Sequence, residues 1–242
     1  MDSKASSPPF DSLFQSTRWT QVRQSNPASE DGQRALSELC SAYYEPVLAF
    51  LRCRLHDPEE TRDLAHAFFS ELLERGGLHR ASPEHGKFRA YLLGALKHFL
   101  GRHFQSAHRL KRGASADHLP LDNREATLTP DSELPSPDLA FDRQWALTVL
   151  ARALDTLQTQ CRMEGSEALF EKAKPLLEGD LSHGVQAALA AEIGMKPDAF
   201  RMAIHRLRKR LRNGVKAEIQ STLDRDADVQ EELESLFAAL SR

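Results

Sequence analysis

The chain has 242 residues, of which 40% are hydrophobic and 28% are charged. This balance predicts a packed core with a solvated surface and excludes wholesale disorder. The 32 lysines and arginines against 35 aspartates and glutamates leave a formal net charge of −3, which excludes a uniformly basic polyanion binder. No apolar run approaches the roughly 20 residues of a membrane-spanning helix, and residues 1–9 lack the apolar segment of an export signal. We therefore expect a cytoplasmic protein without a membrane partner.

Apolar residues recur at spacings of three and four along most of the chain, and no segment alternates β-branched and aromatic residues over the length of a strand. We therefore predict an all-α protein of two helical domains joined by a flexible linker, which is marked by prolines and few large apolar residues. The predicted divisions are a loose N-terminal extension at 1–32, a first helical domain at 33–112, the linker at 113–138, a second helical domain at 139–217 and an acidic C-terminal helix at 218–242.

A helix is predicted to begin at Asp57, because aspartate caps helix N-termini and the following Pro58 fits the first helical position. Further along this helix, Phe68 and Phe69 are adjacent and cannot both face one core. Periodicity leaves two interpretations: one ring faces a partner, or Phe69 packs on a neighbouring helix.

The three cysteines do not have the spacing of zinc ligands and are predicted to be small buried thiols. We expect neither a metal nor another cofactor.

A cationic stretch follows, since residues 85–116 contain no acid and seven lysines and arginines. Aromatic residues are interleaved with these cations: Phe88, Tyr91, Phe99 and Phe104. Cations hold a phosphate backbone, and aromatic faces accept unstacked bases at roughly 1–3 kcal/mol each. The stretch indicates nucleic-acid binding, although a cationic run is also typical of a solvated helix face.

Residues 185–211 have the pattern of a helix-turn-helix. Gly194 allows a left-handed turn between the two helices, and Pro197 fits the first position of the second one. That helix has an apolar stripe for burial: Phe200, Ile204, Leu207 and Leu211. Its opposite face is cationic, and residues 199–217 contain no acid. The pattern predicts a recognition helix for the major groove of DNA. The alternative is an ordinary amphipathic hairpin with a basic solvent face.

Together these segments resemble a bacterial RNA polymerase sigma factor of the sigma-70 family, extracytoplasmic-function (ECF) subfamily. The resemblance covers most of residues 33–112 and 139–217, which look like sigma regions two and four, and the flanks resemble a planctomycete-like branch. It implies a protein that binds the clamp and flap of core RNA polymerase and directs promoter recognition, DNA melting and transcription initiation. Such a protein regulates transcription by binding DNA and is not an enzyme.

The resemblance assigns three sets of residues. The clamp set, for binding to core polymerase, is Asp63, Leu64, Phe68, Phe69 and Leu72. The −10 set, for contacts with the melted strand of the −10 element, is Lys87, Arg89, Tyr91, Lys97, His98, Arg102, Arg109 and Arg112. The −35 set, for contacts with the −35 element, is Lys196, Ala199, Arg201, Met202, His205, Arg206, Arg208 and Lys209.

The chain departs from the family's pattern at two pairs of adjacent residues. His66-Ala67 stands where the docking helix usually has glutamine and an acid, which removes one expected salt bridge with the clamp. Met202 and Ala203 stand where polar base readers are common, and these apolar groups can touch thymine methyls but cannot form bidentate hydrogen bonds with bases.

Regulation is implied through an anti-sigma factor or a Ser/Thr kinase, with Thr61 and Ser70 beside the docking motif as candidate phosphorylation sites. The acidic tail has two interpretations. It completes the core of the second domain, or it forms an acidic flap over the region-four cations of the free protein.

Three other classes of function compete with this interpretation. A stand-alone helix-turn-helix regulator would bind duplex DNA as a dimer. A polymerase-binding antagonist would dock through Phe68 and Phe69 without needing a basic recognition helix. An enzyme is not expected, because the chain has no HExxH, GxSxG, P-loop or DxDxDG motif.

Overall fold

Eight α-helices and no strand make up the part of the chain that a computed structural model describes, which comprises residues 30–74, 87–114, 136–177, 183–221, 223 and 229–241. The helices are α1 (Glu30–Arg52), α2 (Pro58–Glu74), α3 (Phe88–Ala114), α4 (Pro137–Met163), α5 (Glu167–Leu177), α6 (His183–Glu192), α7 (Pro197–Gln220) and α8 (Val229–Leu240). The all-α prediction is confirmed. Most of the predicted extension and linker lies outside the described residues. None of the described helices has the length and apolarity needed to cross a bilayer.

The junction between α1 and α2 is fixed by Asp57. Its carboxylate accepts a hydrogen bond from the Glu59 amide at 2.9 Å, and its carbonyl accepts one from the Thr61 hydroxyl at 2.7 Å. These bonds begin α2 by satisfying groups that a helix start leaves unpaired, so the predicted N-cap is confirmed. Thr61 is 2% exposed and therefore inaccessible to a kinase in this fold, which corrects its interpretation as a phosphorylation site, whereas Ser70 is exposed.

Aromatic rings join the first three helices. Phe88 of α3 meets Tyr43 of α1 edge to face with ring centres 5.1 Å apart, and Phe99 of α3 meets Phe68 of α2 at 5.6 Å. Such edge-to-face pairs add about 0.5–1.5 kcal/mol each beyond the burial of their area. The rings therefore hold the cationic helix α3 against the first two helices by its apolar side.

Helix α4 lies at the centre of the described residues and contacts α1, α5, α7 and α8. It is buried along its whole length through Phe141, Trp145, Ala146, Val149, Ala153, Leu157 and Cys161. Helix α1 lies in the first predicted domain and α4 in the second, and the two helices pack together. Buried residues of these two helical blocks therefore belong to one hydrophobic cluster. The division of the chain into two domains stays a prediction, and the described helices of the two blocks share one core.

The helix-turn-helix pattern has its expected backbone. Gly194 has φ +67, and the amides of Met195 and Gly194 donate to the carbonyls of Ala190 and Ala191 at 2.9 and 3.1 Å. The predicted apolar stripe of α7 is at most 7% exposed at Phe200, Ile204, Leu207 and Leu211. The turn and the buried face of α7 are therefore confirmed.

Replacing Gly194 with alanine should lower the free energy of unfolding by about 1–2 kcal/mol, because a Cβ strains a backbone of positive φ. Gly101 in α3 is the matched control, since it is exposed and a Cβ added there meets nothing within 4 Å. Gly101→Ala should stabilise the protein by about 0.5–1 kcal/mol through helix propensity. Urea unfolding followed by circular dichroism measures both, and changes of the same sign would contradict the assigned backbone.

Candidate nucleic-acid interface

The exposed face of α7 carries a line of basic side chains, which we call the α7 stripe: Arg201, His205, Lys209, Arg212 and Lys216. They lie four, four, three and four residues apart, so they share one side of the helix, opposite the buried stripe. Arg201 has Asp198 at 3.6 Å, and the other four have no ion-pair partner among the described residues. The stripe is therefore a cationic surface open to solvent.

Seven of the eight residues of the −35 set are exposed on or next to the first half of α7. They are Lys196, Ala199, Arg201, Met202, His205, Arg206 and Lys209. Met202 is 56% exposed, whereas its neighbour Ala203 is 1% exposed. The expectation that Ala203 can touch a base is therefore wrong, because Ala203 lies on the buried face of α7.

Two arginines of α7 face the protein. Arg208 is the exception in the −35 set, because its Nε and Nη2 donate to the Leu176 carbonyl at 3.1 and 2.7 Å. Leu176 lies in the last turn of α5, so the guanidinium satisfies a carbonyl that the helix end leaves unpaired. Arg210 binds both oxygens of Glu164 at 2.8 Å, and this hydrogen-bonded pairing raises the pKa of Arg210. The sequence predicted a phosphate contact for Arg208, and the structure gives it an intramolecular role.

The first two cations of the −10 set are enclosed by carboxylates, in a group that we call the α3–α8 cluster: Lys87, Arg89, Asp142, Glu231 and Glu232. The Lys87 Nζ lies 2.9 Å from Glu231 Oε1 and 2.8 Å from Glu232 Oε1. Arg89 pairs with Asp142, and its Nη2 lies 3.4 Å from Glu232 Oε1. The carboxylate of Glu232 is 2% exposed, so its charge is balanced by these two cations and not by water.

Burial and pairing act in opposite directions on the two cations. Burial on its own lowers the pKa of Lys87, and the hydrogen bonds and charges of Glu232 and Glu231 outweigh it, so the pKa is raised. The pKa of Arg89 is raised in the same way, since the charges of Glu232 and Asp142 outweigh a larger burial. The guanidinium of Arg89 also lies over the ring of Trp145, with 4.5 Å from Cζ to the ring centre. Both side chains are charged and paired with carboxylates of the protein.

The remaining described residues of the −10 set are more open. The Lys97 Nζ lies 2.6 Å from Asp138 Oδ2, and both side chains are 47% exposed. Arg102 pairs with Glu71 of α2, His98 is exposed, and Tyr91 is half-buried. The side chains of Arg109 and Arg112 lie outside the described residues.

Of the four interleaved aromatics, Phe88 and Phe99 are buried at 4% and 7% exposure, so they cannot stack on bases as expected. Phe104 is 36% exposed and packs edge to face with His103, with ring centres 5.8 Å apart. Phe104 and Tyr91 are thus the accessible rings of this helix.

A groove of about 460 Å³ runs between α2 and α3. Its apolar lining includes Phe68, Leu72 and Phe99, and its polar lining consists of His98 and the paired side chains of Glu71 and Arg102. An apolar lining that includes aromatic rings, with an arginine beside it, suits a planar ring attached to a negatively charged chain.

The clamp set is largely interior. Leu64, Phe68, Phe69 and Leu72 are 2–8% exposed, and Asp63 alone among the five is exposed. Phe69 packs on Phe68 and on Tyr44 of α1, with ring centres 5.3 and 6.1 Å apart. The interpretation in which Phe69 packs on a neighbouring helix is confirmed, and the assignment of these four side chains to a partner-facing surface is wrong. They are covered because α1 and α3 both pack on α2.

The tail helix α8 completes the core through Leu233 and Leu236, which are 6% and 2% exposed. The expected acidic flap over α7 is wrong for Glu231 and Glu232, which pair instead with Lys87, the residue before α3. Sequence reasoning missed this pairing, although an acid-free segment and an acid-rich segment in one chain are its signal.

Comparison with known protein families, with curated proteins and with solved structures found no match to this chain. Within the described part of the chain, no three histidine, cysteine, aspartate or glutamate side chains come together as a metal site requires. The features of the described residues that bear on function are the α7 stripe, the α2–α3 groove and the α3–α8 cluster.

The inward role of Arg208 predicts a split between neighbours on α7. Arg208→Ala should lower the free energy of unfolding by about 1–3 kcal/mol, because the Leu176 carbonyl loses its donor and the packed stem is removed. Lys209→Ala removes an exposed cation and should change stability by less than about 0.5 kcal/mol. Urea unfolding of both variants measures the difference, and equal free energies of unfolding would contradict the structural role of Arg208.

Proposed function

We propose that the chain is a sigma factor of the extracytoplasmic-function kind, which binds core RNA polymerase and directs promoter recognition, DNA melting and transcription initiation. The observation that carries the proposal is the α7 stripe, an exposed cationic face on the second helix of the helix-turn-helix. In this role the first turns of α7 enter the major groove of the −35 element. Arg201 and His205 reach base edges, while Arg206 and Lys209 contact phosphates and fix the register.

Binding of the −10 element is assigned to α3 and the groove beside it. His98 and Arg102 of the groove's polar lining would hold phosphates, and the apolar lining would receive a base that has left the stack. Stacking offsets an unstacking cost of a few kcal/mol per base. The protein contributes binding energy and catalyses no covalent step.

Contact with the polymerase clamp is assigned to the exposed face of α2. Arg62, Asp63 and Ser70 lie on this face, while the apolar face of the same helix is used by the core. The predicted linker at 113–138 carries six acids, and by the family resemblance these would occupy the RNA channel of the polymerase. An anti-sigma factor or a Ser/Thr kinase remains a proposed regulator, with Ser70 as the accessible candidate.

A second candidate is a stand-alone helix-turn-helix regulator, and the shared core of the two helical blocks favours it. A chain whose blocks stay packed through α1 and α4 presents α7 alone to DNA. Such a protein would bind duplex DNA as a dimer, because one recognition helix reads only a half-site.

The sigma proposal predicts promoter-dependent run-off transcription when the protein is added to core polymerase of its own source with genomic fragments as template. Arg201→Ala and Lys209→Ala should each reduce specific transcripts by about tenfold, the effect of losing roughly 1.4 kcal/mol of DNA contact. Arg143→Ala, an exposed arginine of α4, is the matched control and should leave transcription unchanged. No transcript together with no complex with core polymerase on gel filtration would refute the proposal.

The regulator alternative predicts a dimer in sedimentation velocity and protection of a palindromic duplex without polymerase. For a sigma factor we expect a monomer that binds duplex DNA weakly by itself, since melted DNA and the spacing of promoter elements exist only on the polymerase. A monomer that gives no footprint would eliminate the regulator.

A further inference from the structure

We propose that α8 is an autoinhibitory latch, which holds the free protein in a form where Lys87 and Arg89 are covered by carboxylates and cannot bind a nucleic-acid strand. The inference rests on the proposed function and on the −10 set, in which the family resemblance assigns these two residues to the melted strand. It corrects the location expected for an acidic flap, from the recognition helix to the start of α3.

The coverage of the two cations is extensive. Lys87 lies between two carboxylates of α8, and Arg89 has Asp142 of α4 on one side and Glu232 on the other. Trp145 lies against one face of the Arg89 guanidinium, and Nη1 and Nη2 are taken up by Asp142 and Glu232, so the two terminal nitrogens are occupied by carboxylates. The side chain of Arg89 is 15% exposed, in contrast to 54% for Arg102 on the same helix.

A carboxylate and a phosphate compete for the same donors, because both accept charge-assisted hydrogen bonds from lysine and arginine. Glu231 and Glu232 therefore occupy the positions that phosphate oxygens would take on Lys87 and Arg89. A strand can reach these cations only after α8 has moved away from α3.

The anchoring of α8 is suited to release. The helix has 12 residues, a length that is marginally stable by itself, and its best-buried apolar side chains are Leu233 and Leu236. Phe237, the largest apolar side chain of the helix, is 60% exposed. Glu232 is therefore the main polar anchor, and it is the position at which the latch can be opened with one change.

The test compares Glu232→Gln with Glu234→Gln in the full chain. Both variants lose one negative charge from α8, but Glu234 is exposed and bonds only with Gln230 among the described residues. The probe is a fluorescein-labelled single-stranded DNA oligonucleotide of mixed sequence, and binding is followed by fluorescence anisotropy from 50 to about 300 mM salt.

For Glu232→Gln we expect tighter binding and a steeper salt dependence. The slope of log K against log salt should steepen by about 0.7, since each phosphate contact on a single strand contributes about 0.7 and opening α8 frees Lys87, while Asp142 still pairs with Arg89. Adding Lys87→Ala and Arg89→Ala to Glu232→Gln should abolish the gain. Glu234→Gln should keep the parental slope.

An unchanged slope for Glu232→Gln, or an equal gain for Glu234→Gln, would overturn the latch. If Glu232→Gln does not fold by circular dichroism, Leu236→Ala decides, since it weakens the apolar anchor of α8 and should steepen the slope by the same amount. Run-off transcription separates the two proposals. If the parent protein supports transcription but Glu232→Gln leaves the salt slope of single-strand binding unchanged, the latch alone is refuted. If Glu232→Gln steepens this slope but the protein supports no transcription, the sigma factor alone is refuted.

Discussion

The burial of α4 is the constraint on which the rest of the fold depends. Its apolar residues point in more than one direction, so a single neighbouring helix cannot cover them, and α1, α5, α7 and α8 all pack on it. Phe141 is fully buried and Trp145 is 2% exposed, and each such side chain contributes about 1.5–3 kcal/mol by leaving water. The positions of both cationic helices follow, because α7 packs on α4 directly and α3 reaches it through α1 and the α3–α8 cluster.

Local rules were enough to predict one half of the candidate site. The positive φ of Gly194 and the buried stripe of α7 depend on residues within a few positions of each other, and periodicity places the cations on the opposite face. The same is true of the N-cap at Asp57. These features need no knowledge of which helix packs on which, and so the sequence was sufficient for them.

The other half depends on tertiary contacts that local patterns do not contain. Arg89 is separated from Glu232 by 143 positions and from Asp142 by 53, and a cation in a helical pattern looks the same whether phosphate or carboxylate will face it. The environment of Phe69 was ambiguous for the same reason. Two adjacent rings show that two faces of α2 carry apolar residues, but they do not show whether a helix of the same chain or a partner covers each face. Arg208 and Lys209 are adjacent cations of α7, and only the position of α5 makes Arg208 bond with Leu176 while Lys209 stays exposed.

The separation of charge along the chain leaves the cations of the two helices neutralised to different degrees in the free protein. The acids of α8 and α4 neutralise the start of α3, whereas the α7 stripe has no acidic helix packed over it among the described residues. Buried ion pairs return little net stability, because desolvation cancels most of their attraction, so exchanging carboxylates for phosphates at Lys87 and Arg89 costs the protein little. In a sigma factor this asymmetry orders the contacts. Under the proposed function, α7 would be available from the start, and α3 would become available only when the surroundings of α8 change, as on binding to the polymerase and the melted strand.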